Sequence, residues 1–110
     1  MSKNFDMKRN YMRAIPREWR AISHVFTALG DEHRQRILLM FKRDEELTIK
    51  DIADAVPLSR TAVTHHLRAL REAGVLSAER RGKEVYLRPN PAAVLEALDA
   101  LRDYIREELS

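Results

Sequence analysis

Two short helical patterns, separated by a break too tight for one continuous helix, constrain the fold of this 110-residue chain more than any other feature. The first begins at Thr48, because Thr48 and Asp51 have the spacing of a capping box, and it ends before Pro57, which disfavours helical geometry at the preceding residue. The second begins at Ser59, a favourable N-cap, and ends at Gly74. The spacing therefore predicts a helix, a short turn and a second helix.

The second helix divides into an apolar face and a polar face when its residues are placed at 3.6 per turn. Val63, Leu67 and Leu70 share the inner face. The outer face carries no carboxylate and, with the cap residue, consists of Ser59, Arg60, Thr61, Thr64, His65 and Arg68. Arginine can donate two hydrogen bonds to guanine, threonine and histidine can bond base edges or phosphates, and a major groove admits one helix. Taken alone, this face is equally compatible with a solvated basic surface.

A predicted β-hairpin follows the second helix. Residues 75–80 alternate toward a strand, Gly82 supplies a positive φ in a cationic turn, and residues 84–88 form the returning strand. The cations Arg80, Arg81 and Lys83 suit a polyanionic backbone, because each phosphate that they neutralise releases condensed counterions. A basic hairpin tip beside a basic helix favours DNA binding over a surface that is basic by chance.

Further amphipathic helices flank this unit. An apolar stripe predicts the first helix between Pro16 and Gly30, and Asp31 caps a second helix that is apolar on almost all sides and is expected to be enclosed in the core. Asn90 is expected to cap the last helix. Its seam of apolar residues, at alternating four- and three-residue steps, consists of Val94, Leu98, Leu101 and Ile105. This helix either covers its own core or meets a partner helix.

Length and composition limit the possible classes of protein. The chain is expected to form one domain, residues 16–110, preceded by a flexible basic arm at residues 1–15 that is either frayed, packed on a partner or directed toward DNA phosphates. Lys and Arg number 20 against 17 Asp and Glu, so the distribution of charge, and not the net +3, indicates nucleic acid. The absence of Cys excludes disulfides and thiolate metal sites. No apolar run has the length of a membrane span, so a soluble cytoplasmic protein is expected.

Enzymatic chemistry finds no support in the sequence. There is no glycine-rich phosphate loop and no nucleophile elbow. His65 and His66 are adjacent on a helix, so they point about 100° apart, and no carboxylate is placed to orient them. His66 is expected to lie half-buried beside a neighbouring helix. His24 and His33 lack the further ligands that a metal site needs, so no catalytic residue, cofactor or metal is predicted.

Several stretches resemble the ArsR/SmtB family of bacterial winged-helix repressors. They are V-F-T-A-L-G-D-E-H-R-Q-R-I-L, E-L-T-I-K-D-I-A, L-S-R-T-A-V-T-H-H-L-R-A-L-R-E-A-G-V-L and R-G-K-E-V-Y-L, and the resemblance covers about Trp19 to Leu109. It implies a mainly α fold of about five helices with a two-stranded wing, and a homodimer built by the first and last helices. The implied dimer interface consists of Trp19, Ile22, Val94, Leu98, Leu101 and Ile105.

The resemblance also implies which metal sites this chain lacks. Thr48 and Lys50 stand where some members of the family carry metal-binding cysteines, and Pro91, Ala93 and Tyr104 stand where others carry ligands on the last helix. Metal sensing by those two routes is therefore not expected. A site built from carboxylates such as Asp99 and Asp103 stays open, although such a pair is ordinarily a solvated, ion-paired face. The effector is unknown.

The leading hypothesis is a homodimeric transcriptional repressor that binds a palindromic operator in double-stranded DNA. Dimerisation has a physical advantage, because one recognition helix makes few base contacts. Two recognition helices about one turn of the DNA helix apart can read a palindrome. The alternative is a protein-interaction module that uses the stripe of the last helix, since a fold does not by itself determine function. The acid-free face of residues 59–68 and the basic hairpin favour the first hypothesis.

Overall fold

The structure is a computed structural model that describes residues 12–110, so most of the predicted arm at residues 1–15 lies outside the described residues. From Arg17 onward the elements are α1 (Arg17–Leu29), α2 (Glu32–Leu39), β1 (Leu47–Thr48), α3 (Ile49–Ala55), α4 (Arg60–Glu72), β2 (Leu76–Arg81), β3 (Glu84–Pro89) and α5 (Pro91–Tyr104). One π-helical turn, Ile105–Leu109, continues α5. The predicted fold class, five helices with a β-hairpin wing, is confirmed.

The boundaries of α3 follow from local hydrogen bonds. The Thr48 side-chain oxygen accepts a bond from the Asp51 backbone N–H at 3.0 Å, and the Thr48 backbone N–H donates to the Asp51 carboxylate at 3.0 Å. These two bonds form the predicted capping box. Hydrogen bonding of the Asp51 carboxylate to the Thr48 backbone N–H, and to the Thr48 hydroxyl, lowers the pKa of the Asp51 carboxyl below its usual value. Val56 leaves the helix in an extended conformation, with ψ 143°, as the following Pro57 requires.

Helix α4 begins and ends at the two positions that the sequence indicates. The Ser59 hydroxyl oxygen accepts a hydrogen bond from the Ala62 backbone N–H at 3.1 Å. At the other end Gly74 has φ +78°, and the backbone N–H groups of Gly74 and Val75 donate to the carbonyls of Arg71 and Leu70. This pair of bonds is a Schellman motif, which reverses the chain directly into β2.

The three strands form one antiparallel sheet in the order β1-β3-β2. The pairing of β2 with β3 places Ala78 opposite Leu87, and Gly82, with φ +63°, begins the two-residue turn at the tip. The short strand β1 adds a third member to the predicted two-stranded wing, because Leu47 also pairs with Leu87. The sheet therefore joins the start of α3 to the base of the wing.

The core lies where α1, α2, α3, α4 and β3 converge. Its largest fully buried side chains are Ile37, Ile52, Leu70, Leu87 and Val63. The prediction that α2 is enclosed on almost all sides is wrong, because Leu39 is 83% exposed. Neighbouring elements cover only the side of this eight-residue helix that carries Ile37. Its cap is as predicted, since the Asp31 carboxylate accepts bonds from the backbone N–H groups of His33 and Arg34.

Candidate nucleic-acid interface

The outer face of α4 is presented to solvent as a basic, hydroxyl-bearing surface. Its inner residues Val63, Leu67 and Leu70 are at most 2% exposed, which determines the orientation of the helix. The exposed residues on the opposite side are those predicted to contact DNA, namely Arg60, Thr61, Thr64, His65 and Arg68. Within residues 12–110 none of these five side chains forms an ion pair. Their charges and donors are therefore available to an external ligand.

Ser59 has a structural role that the sequence also predicts. Its hydroxyl oxygen caps α4, so the side chain is held at the first turn of the helix. A serine hydroxyl that accepts one bond still has its own proton to donate. Ser59 is exposed, and it can therefore cap the helix and donate to a phosphate oxygen at the same time.

A groove of about 440 Å³ separates the second half of α4 from the first residues of β2. Arg68, Arg71 and one carboxylate, Glu72, line its helical wall, and Ser77 lies on the strand side. Arg71 is absent from the predicted contact residues, although it is exposed and lies one turn after Arg68. Its position at the helix end nearest the wing is the signal that could have identified it. The groove thus brings two guanidinium groups to the junction of helix and wing.

The cations of the wing are not equivalent. The Arg81 guanidinium donates to the Glu46 carboxylate at 2.7 Å and to the Glu79 carboxylate at 2.8 Å, and it lies 4.6 Å from the centre of the Tyr86 ring. The hydrogen bond from Arg81 also lowers the pKa of the Glu79 carboxyl. Arg80 and Lys83 are exposed and form no ion pair in the described part of the chain. The sequence prediction treats all three cations alike because it does not include the partners that sheet pairing brings to Arg81.

His66 lies between α4 and the start of α2, as expected for a half-buried residue. Its side chain is 14% exposed, and Nδ1 lies 4.0 Å from the Asp31 carboxylate without a hydrogen-bond partner. Burial lowers the pKa of the His66 imidazole, and the charge of Asp31 acts in the opposite direction. His65 points away into solvent. The two adjacent histidines thus have different environments, and only His65 faces outward with the predicted contact residues.

The apolar residues of α5 are divided between two sides of the helix. Val94 and Leu101 pack against the core of the subunit, and Ala97 is buried in it. The other side carries what we call the outer stripe: Leu95, Leu98, Ile105 and Leu109, which are 57%, 44%, 42% and 67% exposed. The predicted interface residues Val94 and Leu101 therefore serve the subunit core, whereas Leu98 and Ile105 remain uncovered. Leu95 and Leu109 lie in heptad spacing with Leu98 and Ile105, and this spacing is the sequence signal that could have placed Leu95 and Leu109 in the predicted interface.

The α1 contribution to the predicted interface is also divided. Ile22 is 4% exposed and belongs to the subunit core, so it leaves almost no area for a partner. Trp19 is partly exposed and contacts Tyr104 of α5 edge to face, with the ring centres 5.1 Å apart. Trp19 thereby joins α1 to the end of α5. Asn90 occupies the N-cap position of α5, but its side chain makes no capping bond, contrary to expectation.

Metal-binding clusters and membrane-spanning helices are both absent from residues 12–110. No group of three or more His, Cys, Asp or Glu side chains in this range could hold a metal ion. Asp99, considered above as a carboxylate ligand, instead accepts a hydrogen bond from Arg102. None of the helices in the described range is long and apolar enough to cross a membrane.

A tight pair of helices followed by a basic hairpin defines a winged helix-turn-helix protein, in which the second helix of the pair enters the major groove. A family model described as a helix-turn-helix domain matches residues 29–77. The arsenic resistance transcriptional regulator ArsR1 of Pseudomonas putida is 40% identical over 67 residues, which are 61% of this chain and 52% of that protein. The transcriptional repressor SdpR of Bacillus subtilis is 29% identical over 86 residues, or 78% of this chain and 94% of SdpR.

Solved structures agree with these relatives. An ArsR-like transcriptional regulator from Rhodococcus sp. RHA1 superposes with a TM-score of 0.73 and 29% identity, over 81% of this chain and 83% of that one. The homodimeric winged helix-turn-helix DNA-binding domain Mb0332 from Mycobacterium bovis superposes with a TM-score of 0.63 and 26% sequence identity. The superposition covers 84% of this chain and 86% of that one. The chain is therefore similar in sequence and in fold to transcriptional regulators of the ArsR type. It spans about half the length of the Pseudomonas relative and nearly all of the Bacillus one.

Proposed function

We propose that this protein is a sequence-specific regulator of transcription, a homodimeric repressor that binds a palindromic operator in double-stranded DNA. The observation that carries the proposal is the outer face of α4, which is exposed and basic and has no carboxylate from Arg60 to Arg71. A major groove lined by base edges and flanked by phosphates complements such a face. The proposal implies a protein without enzymatic activity that acts where the DNA is, in the cytoplasm.

The wing supplies the contacts that do not depend on sequence. Arg80 and Lys83 extend from the hairpin tip without internal ion pairs among the described residues, so both can neutralise phosphates. The groove between α4 and β2 adds Arg71 beside Arg68. Phosphate contacts position a protein on DNA, and base contacts specify the sequence. We therefore assign positioning to the wing and Arg71, and base recognition to the first three turns of α4, including Arg68.

The outer stripe of α5 supports the proposed dimer. Four large apolar side chains lie in heptad spacing on one exposed side of a helix, and apolar patches of this kind mark interfaces. The Mycobacterium bovis domain with the same fold is a homodimer. A two-fold axis that passes between two copies of α5 would bring the stripe of one subunit against the same stripe of the other. Two copies of α4 would then meet successive turns of one face of the DNA.

Selection of bound fragments from the source genome, followed by binding assays with single variants, tests this function. Thr64→Ala and Arg68→Ala should each reduce discrimination between the selected operator and unrelated DNA by about 1 to 3 kcal/mol per lost base contact. Arg20→Ala is the matched control, because Arg20 is also an exposed arginine but lies on α1. Unchanged discrimination in both α4 variants would remove this face from base recognition, and failure to select any sequence would refute the proposal.

The outer stripe also favours one alternative, a protein-interaction module in which α5 binds a different protein. The two functions differ in which surface matters. In the alternative, Leu98→Asp abolishes function while Arg68→Ala does not, and the isolated chain is a monomer. A wild-type dimer whose DNA affinity depends on Arg68 would exclude it.

A further inference from the structure

An open cleft of about 600 Å³ lies on the subunit between the end of α2 and the start of α5. Leu38 and Phe41 form one apolar wall, and Val75 and Val94 form the other. Leu38, Phe41 and Val94 are partly exposed and pack against the core, so the floor of the cleft is continuous with the hydrophobic interior. The volume is within the range of about 300 to 1,000 Å³ that is typical of small-molecule sites.

The rim of the cleft is cationic. Three cations, Lys42, Arg43 and Arg88, line it together with one carboxylate, Asp44. Two further carboxylates contact lining residues: Glu45 accepts a hydrogen bond from the Lys42 backbone N–H, and Glu46 pairs with Arg88. Lys42 and Arg43 are exposed and form no side-chain ion pair within residues 12–110. Arg88 pairs with Glu46 at 3.4 Å, a longer contact than the 2.7 Å between Glu46 and Arg81. An incoming anion can therefore interact with all three cations, two of them without displacing a protein carboxylate.

We infer that this cleft binds the effector, and that the effector is a monoanionic amphiphile, an apolar chain or ring that carries a carboxylate. The role as effector site rests on the proposed function. The apolar walls complement the body of such a molecule, and the side chains of Lys42 and Arg43, which have no ion-pair partner within residues 12–110, complement its head group. A cationic amphiphile would meet repulsion at the rim. A polyanion such as a nucleotide would leave its polar groups against apolar walls without partners.

The position of Arg88 connects the cleft to the wing. Arg88 belongs to β3, and its partner Glu46 also holds Arg81 of the wing. A ligand carboxylate that binds Arg88 takes the place of Glu46 as its partner, so Glu46 then pairs with Arg81 alone. The ion pair between Glu46 and Arg81 becomes stronger, and it neutralises the charge of Arg81 more fully. Bound ligand therefore weakens the attraction of the wing for phosphates, and DNA by linkage weakens ligand binding.

Calorimetric titration of the full chain with decanoate, in the absence of DNA, tests the site, with decylamine as the cationic probe of equal chain length. The double variant Lys42→Glu and Arg43→Glu should weaken decanoate binding by about tenfold or more, because charged partners are lost. The double variant Arg17→Glu and Arg20→Glu changes the net charge equally on the exposed side of α1 and should bind as the wild type does. Thermal unfolding of both variants verifies that they are folded.

Equal binding of decanoate and decylamine would overturn the inference, because it would indicate apolar adhesion, for example to the outer stripe. Decanoate affinity that is unchanged by the Lys42 and Arg43 substitutions would also overturn it. The experiments distinguish an incorrect assignment of the cleft from an incorrect proposed function. A protein that selects an operator but does not bind decanoate retains the function and loses the site, whereas decanoate binding through Lys42 and Arg43 without any selected DNA supports the site and refutes repression.

Discussion

Truncation of Leu98 in the outer stripe should weaken the proposed dimer by an amount that follows from its exposure. Complete burial of a leucine side chain contributes about 2 to 3 kcal/mol, and Leu98 is 44% exposed in the subunit, so a partner that covers it adds about 1 kcal/mol. A two-fold interface buries it twice, which gives about 2 kcal/mol, or about 30-fold in the dimer dissociation constant. Leu98→Asp should cost more, because it also places a charge in an apolar contact.

Sedimentation equilibrium over a range of protein concentrations measures this effect directly. Leu39→Ala is the matched control, since Leu39 is 83% exposed but lies on α2, away from the stripe, and its truncation should leave the dissociation constant unchanged. Leu101 is a poorer test site because it packs against the core of its own subunit. A monomeric wild-type protein, or equal dissociation constants for wild type and Leu98→Ala, would refute the assignment of the stripe to dimerisation.

Three further predictions concern the cap, the buried histidine and the wing. Thr48→Ala should lower the free energy of unfolding by about 1 kcal/mol in urea denaturation, since it removes the N-cap of α3, and Thr48→Ser should restore most of the loss. Because burial lowers the pKa of His66 in the folded state, the unfolded chain binds more protons as the pH falls through 6.5, and stability decreases there. His66→Gln should reduce that decrease, and an unchanged pH profile would contradict the reasoning. Lys83→Ala should reduce the slope of log affinity against log salt by about one. Arg81→Ala should reduce it by less, because two carboxylates already offset this charge in the free protein.

Features set by neighbouring residues could be predicted from the sequence. Thr48 and Asp51 form the capping box, and Gly74 ends α4 with a positive φ, because both depend on side chains and backbone within one turn. The residues on the outer face of α4 could be predicted for a similar reason, since helical periodicity determines which residues share a side. These local rules located the helix-turn-helix and the turn of the wing.

Features set by distant residues could not be predicted. Glu46 and Arg81 are 35 positions apart, and the pairing of both β1 and β2 with β3 brings them together. In α5 the period of the apolar residues was correct, but they cover so wide an arc that the sequence does not indicate which side meets the core. Leu39 is exposed because few elements surround α2. The sequence of α2 itself does not indicate how many neighbours the helix has.

Thr48 is both the last residue of β1 and the N-cap of α3, so no residue can be inserted between the strand and the helix without a structural change. One inserted residue there would shift the pairing with β3 or separate the cap from its helix, and either outcome disturbs the helix-turn-helix or the wing. The turn at Gly82 has the opposite character, because a side chain added there meets no atom within 4 Å. We therefore expect insertions at the tip to be tolerated when a glycine keeps the positive φ of Gly82, whereas the junction before α3 keeps its length.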